Sequence, residues 1–141
     1  MSKPVSPGEA AALLEQGWQY LDVRSMPEFE EGHPPGAANV PLLHAQGGRM
    51  AANPDFQRVV EANYAKDARL VVGCRSGGRS AQAVALLEAA GYTQLADMRA
   101  GMAGERDMFG RVNTPGWVAA GLPIEKTAPA PQTYAELSKP R

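Results

Sequence analysis

The sequence is poor in cysteine, histidine and long apolar runs, and each shortage excludes a class of protein. Its 141 residues contain one cysteine, so no disulfide can form within the chain, and a small disulfide-stapled secreted scaffold is excluded. Two histidines with one distant cysteine are too few for a zinc site, and we expect no metal. No stretch approaches the apolar length of a membrane span. We therefore predict a chain that works in a reducing compartment, the cytoplasm.

The charge of the chain is nearly balanced. The formal net charge is −1, and the sequence contains no run of like charges. Proteins that bind nucleic acid or an acidic membrane surface usually carry a clustered positive charge. We therefore expect neither nucleic acid nor a membrane as a partner.

Turn and cap signals divide the chain into alternating helices and strands. The segment Ser6 to Glu9 has the form of a capping box with proline at the first helical position. Strands are predicted at 18–23, 38–40, 70–72 and 94–98, and helices are predicted to begin near residues 7, 25, 53, 81 and 114, the last one ending at Gly121. Strands that alternate with helices indicate βαβ units and a mainly parallel sheet. We predict one domain over residues 5–125 and a proline-containing tail over residues 126–141, which is either mobile or an attachment arm.

The lone cysteine opens a loop, residues 74–80, that lies between a predicted buried strand and a predicted helix. This position, at the carboxyl end of a strand and the amino end of a helix, is where open α/β sheets bind ligands and favour anions. Arg75 and Arg79 add two positive charges, so we expect the Cys74 thiol to be shifted toward thiolate. The alternative is a small buried hydrophobic residue. Two arginines and two glycines beside Cys74 favour a reactive nucleophile.

The loop and two upstream blocks together resemble a known family. The pattern Cys-x4-Arg follows a buried strand, with Leu-Asp-Val-Arg at 21–24 and a second block, Glu-Phe-x-x-Gly-His-x-x-Gly-Ala-x-Asn-Val-Pro, at 28–41. These motifs, with the segment at 120–125, are similar to those of single-domain rhodaneses, which are sulfurtransferases. The resemblance covers the chain from about Val5 to Glu125. It implies a rhodanese-like α/β fold, with a mainly parallel central sheet and helices on both faces.

The resemblance also implies a reaction in two half-reactions. The thiolate of Cys74 would take the outer sulfur of thiosulfate, or of a similar small anionic donor, and hold it as a persulfide. Cyanide or a thiol, including a protein thiol, would then accept that sulfur. Such covalent catalysis predicts ping-pong kinetics and requires no cofactor beyond the persulfide itself.

The loop residues after the cysteine are predicted to bind the sulfur donor. Gly77 and Gly78 permit the backbone angles that point N–H groups inward, and Ser76 offers a hydroxyl. Arginine suits small oxyanions because its guanidinium is a planar fork. Arg75 is the better candidate for meeting an anionic donor, whereas Arg79 either faces the pocket or ties the loop to a carboxylate.

Two charged residues at the end of an early strand are possible supporting residues. Arg24 either lines the pocket entrance or forms an ion pair with Asp22 or Glu28 that fixes the loop. We favour the ion pair. His33 is predicted to be a hydrogen-bonded structural residue, because a thiolate stabilised by its own loop does not require a base.

The segment 103–116 departs from the family pattern, in which a tryptophan follows a glycine pair closely. Here Trp117 comes much later. The segment follows a strand on the same sheet edge as Cys74, so Arg106 and Arg111 would add positive charge if it lay over the pocket. The alternative is a packed surface excursion without contact to the site.

Two other functions remain open. Cysteine-dependent phosphatases and arsenate reductases are the first, but their Cys-x5-Arg loop is one residue longer than the loop of this chain. The second is a binding module or sulfur-relay adaptor without turnover of small molecules, which shares all the sequence features of the enzyme.

Overall fold

The computed structural model describes residues 2–128 and 132–139 as strands and helices that alternate along most of the chain. The strands are β1 (Lys3–Pro4), β2 (Gln19–Asp22), β3 (Ala38–Asn39), β4 (Leu43–Gln46), β5 (Arg49–Ala52), β6 (Leu70–Gly73), β7 (Leu95–Met98), β8 (Glu105–Arg106) and β9 (Val112–Thr114). The helices are α1 (Pro7–Glu15), α2 (Met26–Glu31), α3 (Phe56–Asn63), α4 (Gly78–Ala89) and α5 (Tyr134–Leu137).

Five strands form the central sheet, in the order β1-β7-β6-β2-β3. All four neighbouring pairs are parallel, as predicted. The central strand β6 is buried along its whole length, since strands on both sides and helices on both faces cover it. Cys74 follows β6 directly, at the carboxyl edge of the sheet.

Capping boxes begin two of the helices, and the one at Ser6 is the one that the sequence predicts. At α1 the Ser6 hydroxyl accepts a hydrogen bond from the Glu9 N–H at 3.1 Å, and the Glu9 carboxylate accepts one from the Ser6 N–H at 2.9 Å. At α2 the Glu28 carboxylate accepts hydrogen bonds from the Ser25 N–H and the Ser25 hydroxyl. These caps satisfy backbone donors that the first turn of a helix leaves unpaired.

Helices cover both faces of the sheet, which confirms the predicted architecture. On one face α3 and α4 pack on the sheet around Val59, Val72 and Leu87. On the other face α1 and α2 pack on it with Tyr20 and Trp117. None of the described helices has the length and apolarity that crossing a lipid bilayer would require.

The predicted helix that begins at Thr114 and ends at Gly121 is wrong. Residues 112–114 form β9, and residues 117–121 form hydrogen-bonded turns. The reason is the burial of Trp117, whose backbone N–H donates to the Gly101 carbonyl at 2.8 Å and whose indole N–H donates to the Pro123 carbonyl at 2.8 Å. These tertiary contacts outweigh the local cap signal.

Part of the predicted tail packs on the domain. Leu137 of α5 is buried in the core that α3 and α4 form, and the Asn53 amide donates to the Tyr134 hydroxyl at 3.1 Å. Pro129 and Pro131 of the predicted proline-containing tail lie outside the described residues.

Candidate active site

The sulfur of Cys74 lies at the start of the loop, enclosed by backbone donors. Its Sγ accepts hydrogen bonds from the N–H groups of Gly77 at 3.1 Å and Ser80 at 3.3 Å. Cys74 is 1% exposed. Converging backbone N–H groups at the start of a helix form a concavity that binds negative charge, and hydrogen bonds to an ionised group are stronger than neutral ones. Two backbone N–H groups therefore point at this sulfur.

The shape of the loop depends on one of its two glycines. Gly77 has a φ of 102°, and a Cβ atom there would collide with the backbone carbonyl of Arg99. Gly78 is not among the glycines with a positive φ, and a Cβ atom there would meet no atom within 4 Å. The prediction that both glycines supply special backbone angles is therefore correct for Gly77 alone.

The segment after β7 supports the loop from behind. The Met102 N–H donates to the Cys74 carbonyl at 2.9 Å, and the Ala103 N–H donates to the Arg75 carbonyl at 2.8 Å. Gly101, with a φ of 63°, allows this approach, because a Cβ atom there would collide with the same two carbonyls. Backbone-to-backbone contact therefore fixes the position of Cys74.

Arg79 ties the loop to α2. Of the two roles predicted for this residue, the structure shows the contact with a carboxylate. Its Nη1 and Nη2 donate to Oε1 and Oε2 of Glu28 at 2.6 and 3.0 Å. Burial alone would raise the pKa of Glu28, but hydrogen bonds from Arg79 and Ser25 outweigh burial and lower that pKa to about 2. The same carboxylate raises the pKa of Arg79. The charge of Arg79 is therefore compensated by a partner within the protein.

Arg24 forms the ion pair favoured from the sequence, and its partner is Asp22. The Arg24 Nη2 lies 2.8 Å from the Asp22 Oδ2, and it also donates to the Gly32 carbonyl at 2.6 Å. Arg24 and Asp22 are both buried, so each charge depends on the other. Arg24 still contributes to the wall of the cleft described next, so both of its predicted positions are realised.

An open cleft of about 850 Å³ lies beside the loop. One wall comes from α2, another from the β4–β5 hairpin, and a third from the segments 102–103 and 118–119. Arg75 lines the cleft, next to Cys74 in sequence, and its side chain has no hydrogen-bond or ion-pair partner in the part of the chain that the structure describes. Ser76 is exposed on the same loop.

Residues 105–114 form the β8–β9 hairpin within the segment that departs from the family pattern. At its tip Met108 is 89% exposed and Phe109 is 80% exposed. The Arg106 guanidinium donates to the Gly110 carbonyl at 2.6 Å, within the hairpin itself. Among the described residues that line the cleft, neither Arg106 nor Arg111 is present. The structure therefore does not bring these two arginines to the cleft.

His33 has the structural role that the sequence predicts. It is buried, its Nδ1 lies 2.8 Å from the Phe29 carbonyl oxygen, and its ring stacks on the Phe29 ring at 3.8 Å. It fixes the turn that follows α2.

Sequence reasoning missed the β4–β5 hairpin, which contributes Ala45 and Met50 to the cleft. The available signal was the Gly47-Gly48 pair, because two adjacent glycines with positive φ are typical of a tight hairpin turn.

Comparison with known proteins gives one consistent family. A rhodanese-like domain matches residues 6–104. The chain is 38% identical over 121 residues to thiosulfate sulfurtransferase 16, chloroplastic, of Arabidopsis thaliana, covering 86% of this chain and 91% of that protein. It is 37% identical over 92 residues to thiosulfate:glutathione sulfurtransferase of Homo sapiens, covering 63% of this chain and 80% of that protein. Other relatives are longer, and the chain spans 58%, 50% and 62% of the length of three of them.

The fold has close counterparts among solved structures. The crystal structure of Rv0390 from M. tuberculosis superposes with a TM-score of 0.74 at 24% identity, and the match covers 89% of this chain and 98% of that chain. At that identity the likeness shows a shared fold.

Proposed function

The chain belongs to the rhodanese-like family, and we propose that it is a thiosulfate sulfurtransferase in which Cys74 carries the transferred sulfur as a persulfide. The observation that carries the proposal is the pair of N–H donors, from Gly77 and Ser80, that meet at the Cys74 Sγ. These donors stabilise a thiolate before the reaction and a negatively charged persulfide after it.

In the first half-reaction the Cys74 thiolate attacks the outer sulfur of thiosulfate. The bond between the two sulfur atoms of thiosulfate breaks, and sulfite leaves with the electron pair. Arg75 is the cleft-lining cation without an ion pair in the described chain, so it is the side chain available to attract the dianion. The names of two relatives, which specify thiosulfate, support this choice of donor.

In the second half-reaction an acceptor attacks the outer sulfur of the persulfide. The bond between that sulfur and the Cys74 Sγ breaks, and its electron pair remains on Sγ, which restores the thiolate. Cyanide would leave as thiocyanate, and a thiol would leave as its own persulfide. The name of the human relative, which specifies glutathione, supports a thiol acceptor.

The loop length favours this function over phosphate or arsenate chemistry. Four residues separate Cys74 from Arg79, and Arg79 is engaged with Glu28. A cradle for a tetrahedral oxyanion would need an arginine free to face that anion.

Mass spectrometry of the intact protein tests the proposal directly. After incubation with thiosulfate, the parent should gain one sulfur atom, and addition of cyanide should remove it and release thiocyanate. Cys74→Ser, which is close in size, should gain no sulfur and show no turnover while keeping the parent's circular dichroism spectrum. Appreciable turnover by that variant would exclude the persulfide mechanism.

The same experiment separates the enzyme from a sulfur-relay adaptor without small-molecule turnover. Both would gain a sulfur atom from thiosulfate, but only the enzyme would discharge it to cyanide repeatedly. A single loaded sulfur with no multiple turnover would favour the adaptor.

A further inference from the structure

The cleft beside the Cys74 loop is larger than a small sulfur donor needs. Its volume of about 850 Å³ lies within the range of roughly 300–1,000 Å³ found for pockets that hold drug-sized ligands. Thiosulfate and cyanide contain only a few atoms. Much of the wall is apolar, from Pro27, Ala45, Met50, Met102 and Val118. The cleft is therefore suited to a larger acceptor with an apolar portion.

Two of the charged side chains that line the cleft are already neutralised. Arg24 is paired with Asp22 at 2.8 Å, and Glu28 is paired with Arg79 at 2.6 Å. Their charges are satisfied inside the protein, so they offer little attraction to a ligand.

The two other charged side chains of the cleft, Arg75 and Glu31, have opposite signs. Both residues are exposed, and neither side chain has an ion-pair or hydrogen-bond partner among the described residues. Arg75 lies on the Cys74 loop, and Glu31 is the last residue of α2. The cleft thus presents one available cation beside the nucleophile and one available anion on its helical wall.

The stability of α2 does not explain why its last residue, Glu31, is a glutamate. The carboxyl end of a helix carries partial negative charge, so a carboxylate there is unfavourable and a cation is favourable. The last turn of α2 contains no basic residue. A cationic group of a ligand would be attracted both by Glu31 and by the end of the helix.

We propose that Glu31 is a specificity residue that binds the ammonium group of the sulfur acceptor, while Arg75 binds the acceptor's carboxylate. The acceptor is then a small thiol that carries both charges, such as an amino-acid or peptide thiol. This inference rests on the proposed function. The acceptor thiol loses its proton to solvent, its sulfur bonds to the outer sulfur of the persulfide, and the Cys74 Sγ leaves with the electron pair.

One arginine can serve donor and acceptor because the two bind in turn. In a ping-pong reaction sulfite has left before the acceptor enters. Arg75 is then free to bind a carboxylate at the place where it had bound the thiosulfate dianion. Glu31 cannot help to bind thiosulfate in the first half-reaction, since a carboxylate repels a dianion. Its contribution is therefore confined to acceptors with a positive charge.

The test compares two acceptors that differ only in their ammonium group: glutathione and glutathione acetylated at its amino group. With the parent protein, kcat/KM should be about fivefold higher for glutathione than for the acetylated form, the size expected of an exposed ion pair. In Glu31→Gln, kcat/KM for glutathione should fall to the value for the acetylated form. The value for the acetylated form, and kcat/KM for cyanide, should not fall, because neither acceptor carries a positive charge for Glu31 to bind.

Glu30→Gln is the matched control. Glu30 is the adjacent residue of α2, but it lines a separate cavity on the other side of the helix end, with Phe29 and His33. This variant should retain the parent's preference for glutathione. A parent that turns over cyanide but does not prefer glutathione, or a preference that survives in Glu31→Gln or disappears in Glu30→Gln, would overturn the inference and leave the proposed function standing. No turnover with cyanide would instead overturn the proposed function.

Discussion

Arg79 and Glu28 join the Cys74 loop to α2 through two contacts of 2.6 and 3.0 Å between nitrogen and oxygen. An arginine fork that meets a carboxylate with two parallel hydrogen bonds fixes orientation as well as distance. The last residue of the Cys-x4-Arg pattern is therefore directed at the protein, whereas the Arg75 side chain is left unpaired in the cleft. The two arginines of the loop should consequently respond to mutation in different ways.

Replacing each arginine by alanine should separate stability from donor binding. Arg79→Ala leaves the Glu28 carboxylate partly buried without its partner, and we expect a loss of about 1–3 kcal/mol in the free energy of unfolding. Arg75→Ala should change that free energy by less than about 0.5 kcal/mol, because it removes an unpaired surface charge. It should raise KM for thiosulfate instead, and added salt should shrink the effect by screening.

Urea denaturation and steady-state kinetics at two salt concentrations measure these effects. Arg106→Ala is the control, since Arg106 does not line the cleft, and its KM should equal the parent's. An equal rise of KM in Arg75→Ala and Arg106→Ala would mean that overall charge, and not the position of Arg75, attracts the donor.

The low pKa of Glu28 makes the stability of the fold depend on pH in a defined window. Its pKa falls from 4.5 to about 2 on folding, so this carboxylate stabilises the folded protein above pH 4.5, and that contribution is lost as pH falls toward 2. Between pH 6 and pH 3 the free energy of unfolding should fall by about 2 kcal/mol through this group. Urea denaturation at both pH values should show it in the parent and in Glu30→Gln. A Glu28→Gln variant with the same pH dependence as the parent would contradict this assignment.

Replacing Gly73 by alanine should destabilise the fold, because the added methyl group would clash with a side chain beneath the loop. A Cβ atom there would collide with the Tyr20 hydroxyl, which is buried and has no hydrogen-bond partner among the described residues. We expect Gly73→Ala to destabilise the fold by about 1–3 kcal/mol. Tyr20→Phe removes the colliding oxygen and an unsatisfied polar atom, so alone it should be neutral or stabilising.

A double-mutant cycle tests this contact. Gly73→Ala should cost less in the Tyr20→Phe background than in the parent, as measured by urea denaturation. The relief should be partial, because the ring carbon that carries the hydroxyl is also close to the new methyl group. Equal costs in the two backgrounds would place the strain elsewhere in the loop.

The tip of the β8–β9 hairpin should be dispensable for the chemistry. Met108 and Phe109 are exposed, and neither lines the cleft in the described structure. Replacing both by serine should leave KM for thiosulfate and the lifetime of the persulfide unchanged. Met50→Ser is the positive control, because Met50 belongs to an apolar wall of the cleft, and its loss should raise KM for a thiol acceptor. Faster loss of the bound sulfur in the hairpin variant would show that the hairpin shields the site.

The sequence was sufficient to predict the structure where local signals and burial agree. The apolar run before Cys74, the glycines after it and the alanine-rich helix indicate strand, loop and helix without reference to the rest of the chain. The capping box at Ser6 works in the same way, because all its partners lie within one helical turn. These signals correctly placed Cys74 at the carboxyl edge of the sheet.

The sequence was insufficient to predict the role of a residue where that role depends on partners distant in the chain. The choice of Glu28 as the partner of Arg79 joins positions 51 residues apart, and no local pattern predicts it. Trp117 turns the chain at 117–121 because its ring is buried against another segment, which the signal at Thr114 does not reveal. The walls of the cleft likewise come from segments that are far apart in the chain, so its size and charge could be read only from the folded chain.

Burial of the Cys74 sulfur also bears on how the protein withstands oxidation. A disulfide between two copies would require their sulfur atoms to approach to about 2 Å. Each sulfur is enclosed by its own loop and is 1% exposed, so the two loops would have to open together before that bond could form. Oxidising conditions should therefore leave the protein without cross-links between copies, and its loss of activity should follow attack by small oxidants on single molecules.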